Sequence, residues 1–207
     1  MKLPHAFVPL GDIDVEPWIS CIRLVDPSWW TLFDFRQKMF KRNHGNTMTI
    51  PLIWTGDGHM NTGKSCNSYR FDVFTELLSL LDETVIPFLK TMYPNCVPVK
   101  AMLVSLIAGE AVLPHRDLST ILEESHRVHL PIVTDPAVMF TVGDETIHMP
   151  AGSIYEIDNT RVHGVVNGSS IDRIHLIVDM LPEISMPPTG FNVVPVNSST
   201  LPNGFRF

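Results

Sequence analysis

The sequence has little cysteine: only Cys21, Cys66 and Cys96, with no two at a spacing that metal sites use. That excludes a thiolate zinc cage and a disulfide scaffold. The odd count, and a start (Met-Lys-Leu-Pro-His) with no apolar leader, point to a reducing, cytoplasmic setting. Positive charge is also scarce, with 15 Lys and Arg against 22 Asp and Glu and a net charge of −7. Nucleic acid is therefore not an expected partner, since its backbone calls for a basic stripe; a local cationic pocket for a small anion is compatible with this balance. No stretch approaches the ~18 uninterrupted apolar residues of a membrane span, so no membrane partner is expected either. Internal repeats and low-complexity blocks are absent. The glycines of 56–63 and the following Lys64-Ser65 are not read as a phosphate-binding loop.

What is present is enough apolar material, 44% of 207 residues, for a core of its own, and residues 1–207 are expected to form a single domain. Residues 1–98 read as N-terminal strands and supporting helices. Pro4, Pro9, Pro17 and Pro27 break 1–27 into short strands and turns. Ser28 is placed to cap a helix running to about Arg42, with Trp29, Phe33 and Phe40 along one side. Thr47 to Trp54 reads as a strand, and Thr55 to Gly58 as a turn. Between Phe71 and Met92 the residues Phe74, Leu77, Leu78, Leu81, Ile86 and Leu89 recur at helical steps, with Pro87 expected to kink or divide the helix.

From Val99 onward the character changes. Short apolar segments follow closely: 99–108, 127–134, 138–142, 146–149, 153–158, 162–167 and 173–178. They are separated by Gly109, Asp135-Pro136, Gly143-Asp144, Pro150-Ala-Gly152 and Asn167-Gly168. Helices first and many short strands after predict a mainly β fold, a jelly-roll core over 99–181 buttressed by N-terminal helices. Residues 182–207 read as a loop-like tail.

Four residues of the core carry a chemical signal. His115 and Asp117 point the same way in an extended segment, and His163 opens the penultimate predicted strand. Two imidazoles and one carboxylate suit a divalent first-row metal, and this donor set leaves open positions on a non-haem Fe(II). Arg173 sits in the otherwise apolar strand Ile171–Val178, where an arginine is seldom buried unless paired. Its planar fork suits a carboxylate. Arg127 and His129 share one face of their strand and Val128, Leu130 and Ile132 the other, so the cationic face is directed either into the barrel or to solvent. Ser105 is a candidate hydroxyl donor to the same pocket. His126, at a strand edge, and His148, in a hairpin, are read as core or surface residues, and His175, with the parity of Arg173, as a core or supporting residue rather than a ligand. Trp29, Trp30 and Trp54 are read as packing residues.

Taken in order, His115-x-Asp117, Arg127-x-His129-Leu-Pro131, Gly152-Ser153, His163-x-x-x-Asn167, Arg173 and Asp179 resemble the aspartyl/asparaginyl β-hydroxylase family, which is similar to the bacterial cis-3-proline hydroxylases. The resemblance implies a cupin-like double-stranded β-helix. It implies His115, Asp117 and His163 as catalytic Fe(II) ligands, and Arg173 pairing with the distal carboxylate of the co-substrate 2-oxoglutarate, assisted by Ser105, Arg127 and His129. The implied activity is a dioxygenase that uses dioxygen to hydroxylate an amino acid, free or within a peptide, and releases succinate and CO2. The alternative from the residues alone is a metal-binding cupin that isomerises or only binds a small carboxylic acid.

Overall fold

The computed structural model describes residues 3–34, 37, 38, 41–55, 66–117, 119–187 and 190–197. Among the described residues the strands form two sheets. One, in spatial order, runs β1 (Phe7–Asp12), β9 (Ser153–Ile157), β6 (His126–Val133), β11 (Arg173–Pro182), β4 (Cys96–Leu106), β2 (Thr47–Thr55), β3 (Cys66–Arg70) and β12 (Phe191–Pro195). The other runs β5 (Ala111–His115), β10 (His163–Asn167), β7 (Val138–Val142) and β8 (Glu145–Ile147). Neighbours are antiparallel apart from β3 and β12. This is the jelly roll that the strand spacing predicts.

The large sheet has two buried faces of opposite character. On one, Val128, Leu130 and Ile132 of β6, Leu176, Val178 and Met180 of β11, and Ile50 and Leu52 of β2 pack against Trp18, Phe71, Leu77, Leu81 and Leu89 of the N-terminal half. Each such aliphatic side chain, fully buried, contributes about 1.5–3 kcal/mol. The inner face carries Arg127 and His129 on β6 and Arg173, His175 and Asp179 on β11, all buried. The cationic face of β6 is thus turned inward. Asp179 lies opposite Arg127 in the β6–β11 register. It takes two parallel bonds from that guanidinium, Nε to Oδ1 and Nη2 to Oδ2, each 2.8 Å.

The N-terminal half departs from the reading of its prolines. A helix spans Glu16–Leu24, with Pro17 in its first turn, where the missing N–H leaves no partner wanting. The helix expected over 28–42 stops after Trp29–Leu32 and a further helical turn forms over Lys41–His44; Arg36 and Phe40 lie outside the described residues. Phe33 leaves helical geometry and is buried against Phe71 and Phe74, at ring separations of 5.2 and 6.1 Å. Its burial outweighs local propensity. Ser28 makes no side-chain cap bond.

The long helix is neither kinked apart nor regular: a π turn over Leu81–Val85 joins helices Thr75–Leu80 and Ile86–Met92. The Pro87 ring would crowd the carbonyl of Glu83 in an α-helix. The widened turn relieves this, and the Ile86 N–H donates to Leu81 O.

Two further expectations change. Residues 191–195 of the supposed loop-like tail form β12, paired with β3. The spacing Gly58-x-x-x-x-Gly63-Lys64-Ser65 is in fact that of a phosphate-binding loop, and these residues, with the turn expected at 55–58, lie beyond Thr55 outside the described residues. The motif needs a strand before it and a helix after it. Here it joins two antiparallel strands, β2 and β3, so that context is missing.

Removing Asp179 would leave Arg127 buried without one of its two carboxylates. Asp179→Ala is expected to lower stability by about 3–5 kcal/mol in urea unfolding; a loss under about 1 kcal/mol would show that the pair is not a structural tie.

Candidate metal centre

The site forms where the small sheet meets the inner face of the large one. His115 ends β5 and His163 begins β10, and the two residues are direct cross-strand partners. Between that pair and Val165↔Val112 the register shifts, with β5 holding one extra residue. Pro114 falls in this bulge on an edge strand, the place where a residue without an N–H does least harm. Gly164 makes the close approach possible. A Cβ there would sit 2.9 Å from Val112 O and 3.2 Å from Pro114 N. It is the lack of a side chain there that lets β10 pass β5.

Both imidazoles are held by backbone. His115 Nδ1 is 2.8 Å from Leu113 O and His163 Nδ1 is 3.0 Å from Arg161 O. A carbonyl only accepts, so each Nδ1 carries the proton and each Nε2 presents a lone pair. The turn before His163 is fixed in its own right: buried Asp158 accepts from Thr160 Oγ1 at 2.5 Å and Arg161 Nε at 3.0 Å. Burial pushes the His163 pKa down to about 4, against the pull of Asp117 beside it, so the ring is neutral at pH 7.

Ligand atoms of His115, Asp117 and His163 lie within 4.8 Å of one another. His115 Nε2 is 4.0 Å from Asp117 Oδ1, and His163 Nε2 is 3.7 Å from Asp117 Oδ2. Two donors each about 2.1 Å from one ion are at most about 4.2 Å apart. The two His–Asp distances, the tautomers and the mixed N/O donor set fit a single first-row divalent cation.

Arg127 lines the cavity, but it also binds protein carboxylates: its Nη1 pairs with Asp117 Oδ2 while Asp179 takes Nε and Nη2. Burial opposes its charge, and Asp117 and Asp179 more than offset that, raising its pKa above the ordinary arginine value. Arg173 lines the same cavity, its guanidinium 5.9 Å from the Phe140 ring centre. His129 packs edge-on against the same ring at 5.2 Å.

Ser105 is the exception among the expected residues. It is buried, yet the register sets it opposite Ile174, on the helix-packed face of β4. Val104, the partner of His175, takes the cavity-facing place. The expected hydroxyl donor is corrected accordingly. Two residues escaped sequence reasoning. His44 reaches the cavity from the N-terminal half, its ring 4.8 Å from that of His115. No local pattern marks it. Asn167 donates through Nδ2 to the carbonyls of Leu106, Ile107 and Ile171, tying the end of β4 to the turn before Arg173. Its place in the family-like motif is the signal that could have found it.

Fold and site together describe a jelly roll with a His-Asp-His cluster at its mouth. The aspartyl/asparaginyl β-hydroxylase sequence profile matches residues 34–182, and the chain belongs to that family. L-proline cis-3-hydroxylase 1 from Streptomyces is 38% identical over 77 residues, which span 36% of this chain and 27% of that protein. In structure the chain is similar to a 2OG-Fe(II) oxygenase family oxidoreductase from Burkholderia pseudomallei (TM-score 0.53, 11% identity, 87% of this chain and 93% of that one). It is also similar to the non-haem monooxygenase ThoJ in a nickel complex (TM-score 0.51, 11% identity, 86% and 74%). At these identities both likenesses are of fold. No helix among the described residues is long and apolar enough to cross a membrane.

Gly164→Ala should force β5 and β10 apart and separate the two imidazoles. Calorimetric titration with Mn(II) is expected to show at least about tenfold weaker binding while the variant stays folded by circular dichroism. Unchanged affinity would show that the close approach does not set the site.

Proposed function

We propose that this chain is an Fe(II)- and 2-oxoglutarate-dependent dioxygenase that hydroxylates an amino acid, free or as a side chain within a peptide. The observation that carries the reading is the His115–Asp117–His163 cluster, whose two histidines line one cavity with Arg173. Family membership supports it, as do the relative that bears the name of a proline hydroxylase and the fold neighbour that bears the name of a 2OG-Fe(II) oxygenase.

His115 and His163 would offer neutral Nε2 atoms to the iron, and Asp117 a carboxylate oxygen. When bound, ferrous iron supplies the oxidative chemistry, coupling decarboxylation of the 2-oxo acid to insertion of one oxygen atom of dioxygen into a C–H bond. Arg127 holds Asp117 from behind and limits the rotation of that carboxylate. Arg173, on the wall of the same cavity, would take the distal carboxylate of 2-oxoglutarate in its planar fork. Val104, Val112, Phe140, Val165 and Ile177 give the wall an apolar part beside His44 and His129, which limits water and strengthens that ion pair. Ser105 has no part in this arrangement, and His129 supports it through Phe140.

Purified protein given Fe(II), ascorbate and 2-oxoglutarate is expected to release succinate, faster when an accepted amino acid or peptide is added. His115→Ala should abolish that release, and Arg173→Lys should raise the 2-oxoglutarate KM by about tenfold or more. Full turnover by His115→Ala would remove the assigned centre. An unchanged KM in Arg173→Lys would move the co-substrate anchor elsewhere.

A further inference from the structure

His175 has no part in the chemistry above, yet it touches the residue on which co-substrate capture turns. Arg173 and His175 stand two residues apart on the inner face of β11, and Arg173 Nη2 is 2.5 Å from His175 Nδ1. A guanidinium has no acceptor, so Nδ1 accepts and the imidazole proton is on Nε2. His175 is not on the cavity wall; it stands behind Arg173, with the His129 ring 5.8 Å away. Burial first, then the charge of Arg173, then His129 and His148, hold its pKa well below the ordinary histidine value. The acceptor form therefore persists through the neutral range.

The chemistry of that contact differs from that at Arg127. Arg127 is oriented by two carboxylates, which also cancel its charge. A neutral imidazole orients a guanidinium without itself cancelling its charge. His175 is also a poor choice for packing: its Nε2 is buried with no hydrogen-bond partner among the described residues. A leucine in its place would remove that unsatisfied donor.

We infer that His175 is a positioning residue that aims the Arg173 guanidinium, and so sets the preference of the site for a 2-oxo dicarboxylic acid over a 2-oxo monocarboxylic acid. The inference rests on the reading above that Arg173 takes the distal carboxylate.

Anaerobic calorimetry on the Mn(II)-loaded full chain tests it, with 2-oxoglutarate and 2-oxobutyrate as ligands. The wild type is expected to prefer 2-oxoglutarate. His175→Leu should shrink that preference by about tenfold through weaker 2-oxoglutarate binding, with 2-oxobutyrate affinity unchanged and the variant still folded by circular dichroism. His175→Asn, whose Oδ1 falls near the place of Nδ1, should restore most of the preference. His175→Gln, with its acceptor further out, should behave like Leu and serves in its place if the Leu variant does not fold. A variant without the acceptor that keeps the wild-type preference, or that loses affinity for both acids alike, overturns the positioning role. A wild type with no preference overturns the Arg173 reading itself, and the inference with it.

Discussion

Arg127 joins the two halves of the jelly roll. From β6 it grips Asp179 on the neighbouring strand of the large sheet with two bonds, and reaches across to Asp117 just beyond the end of β5. Taking a guanidinium and two carboxylates out of water is expensive, and the arrangement is stable only with all three present in good geometry. That requirement fixes the distance between the large sheet and the loop bearing Asp117.

The small sheet contributes closeness. Gly164 and the bulge at Pro114 bring β10 against β5, so His115 and His163 meet as cross-strand partners rather than across an open barrel. Backbone carbonyls set both tautomers, and the Asp158 carboxylate fixes the turn that carries the one at His163. Rigidity here comes from the sheet itself, the setting in which ligand atoms are held most closely to their places.

Much of this was legible in the chain. The run of short apolar segments after Val99 predicted the jelly roll, because a period of two read between turn residues is a local signal. Parity alone put Arg127 and His129 on one face, and the structure turns that face inward. The N-terminal half was harder. Pro17 reads as a breaker and serves as a helix opener, and Phe33 leaves its helix for a place against Phe71 and Phe74. Ser105 went astray by one residue of register. In a strand that step is the difference between cavity and helix-packed core.

The sequence by itself determined most strands of the jelly-roll core, which faces are apolar, and which residues have donor atoms suited to a metal and an acid. All of these follow from local spacing and side-chain chemistry. Tertiary structure alone decided that His44 from the first quarter of the chain meets His115, that Arg127 is neutralised by carboxylates, and that Arg173 leans on an imidazole. Those outcomes depend on register between strands and on the pairing that burial imposes on charge, and neither is written in any one segment.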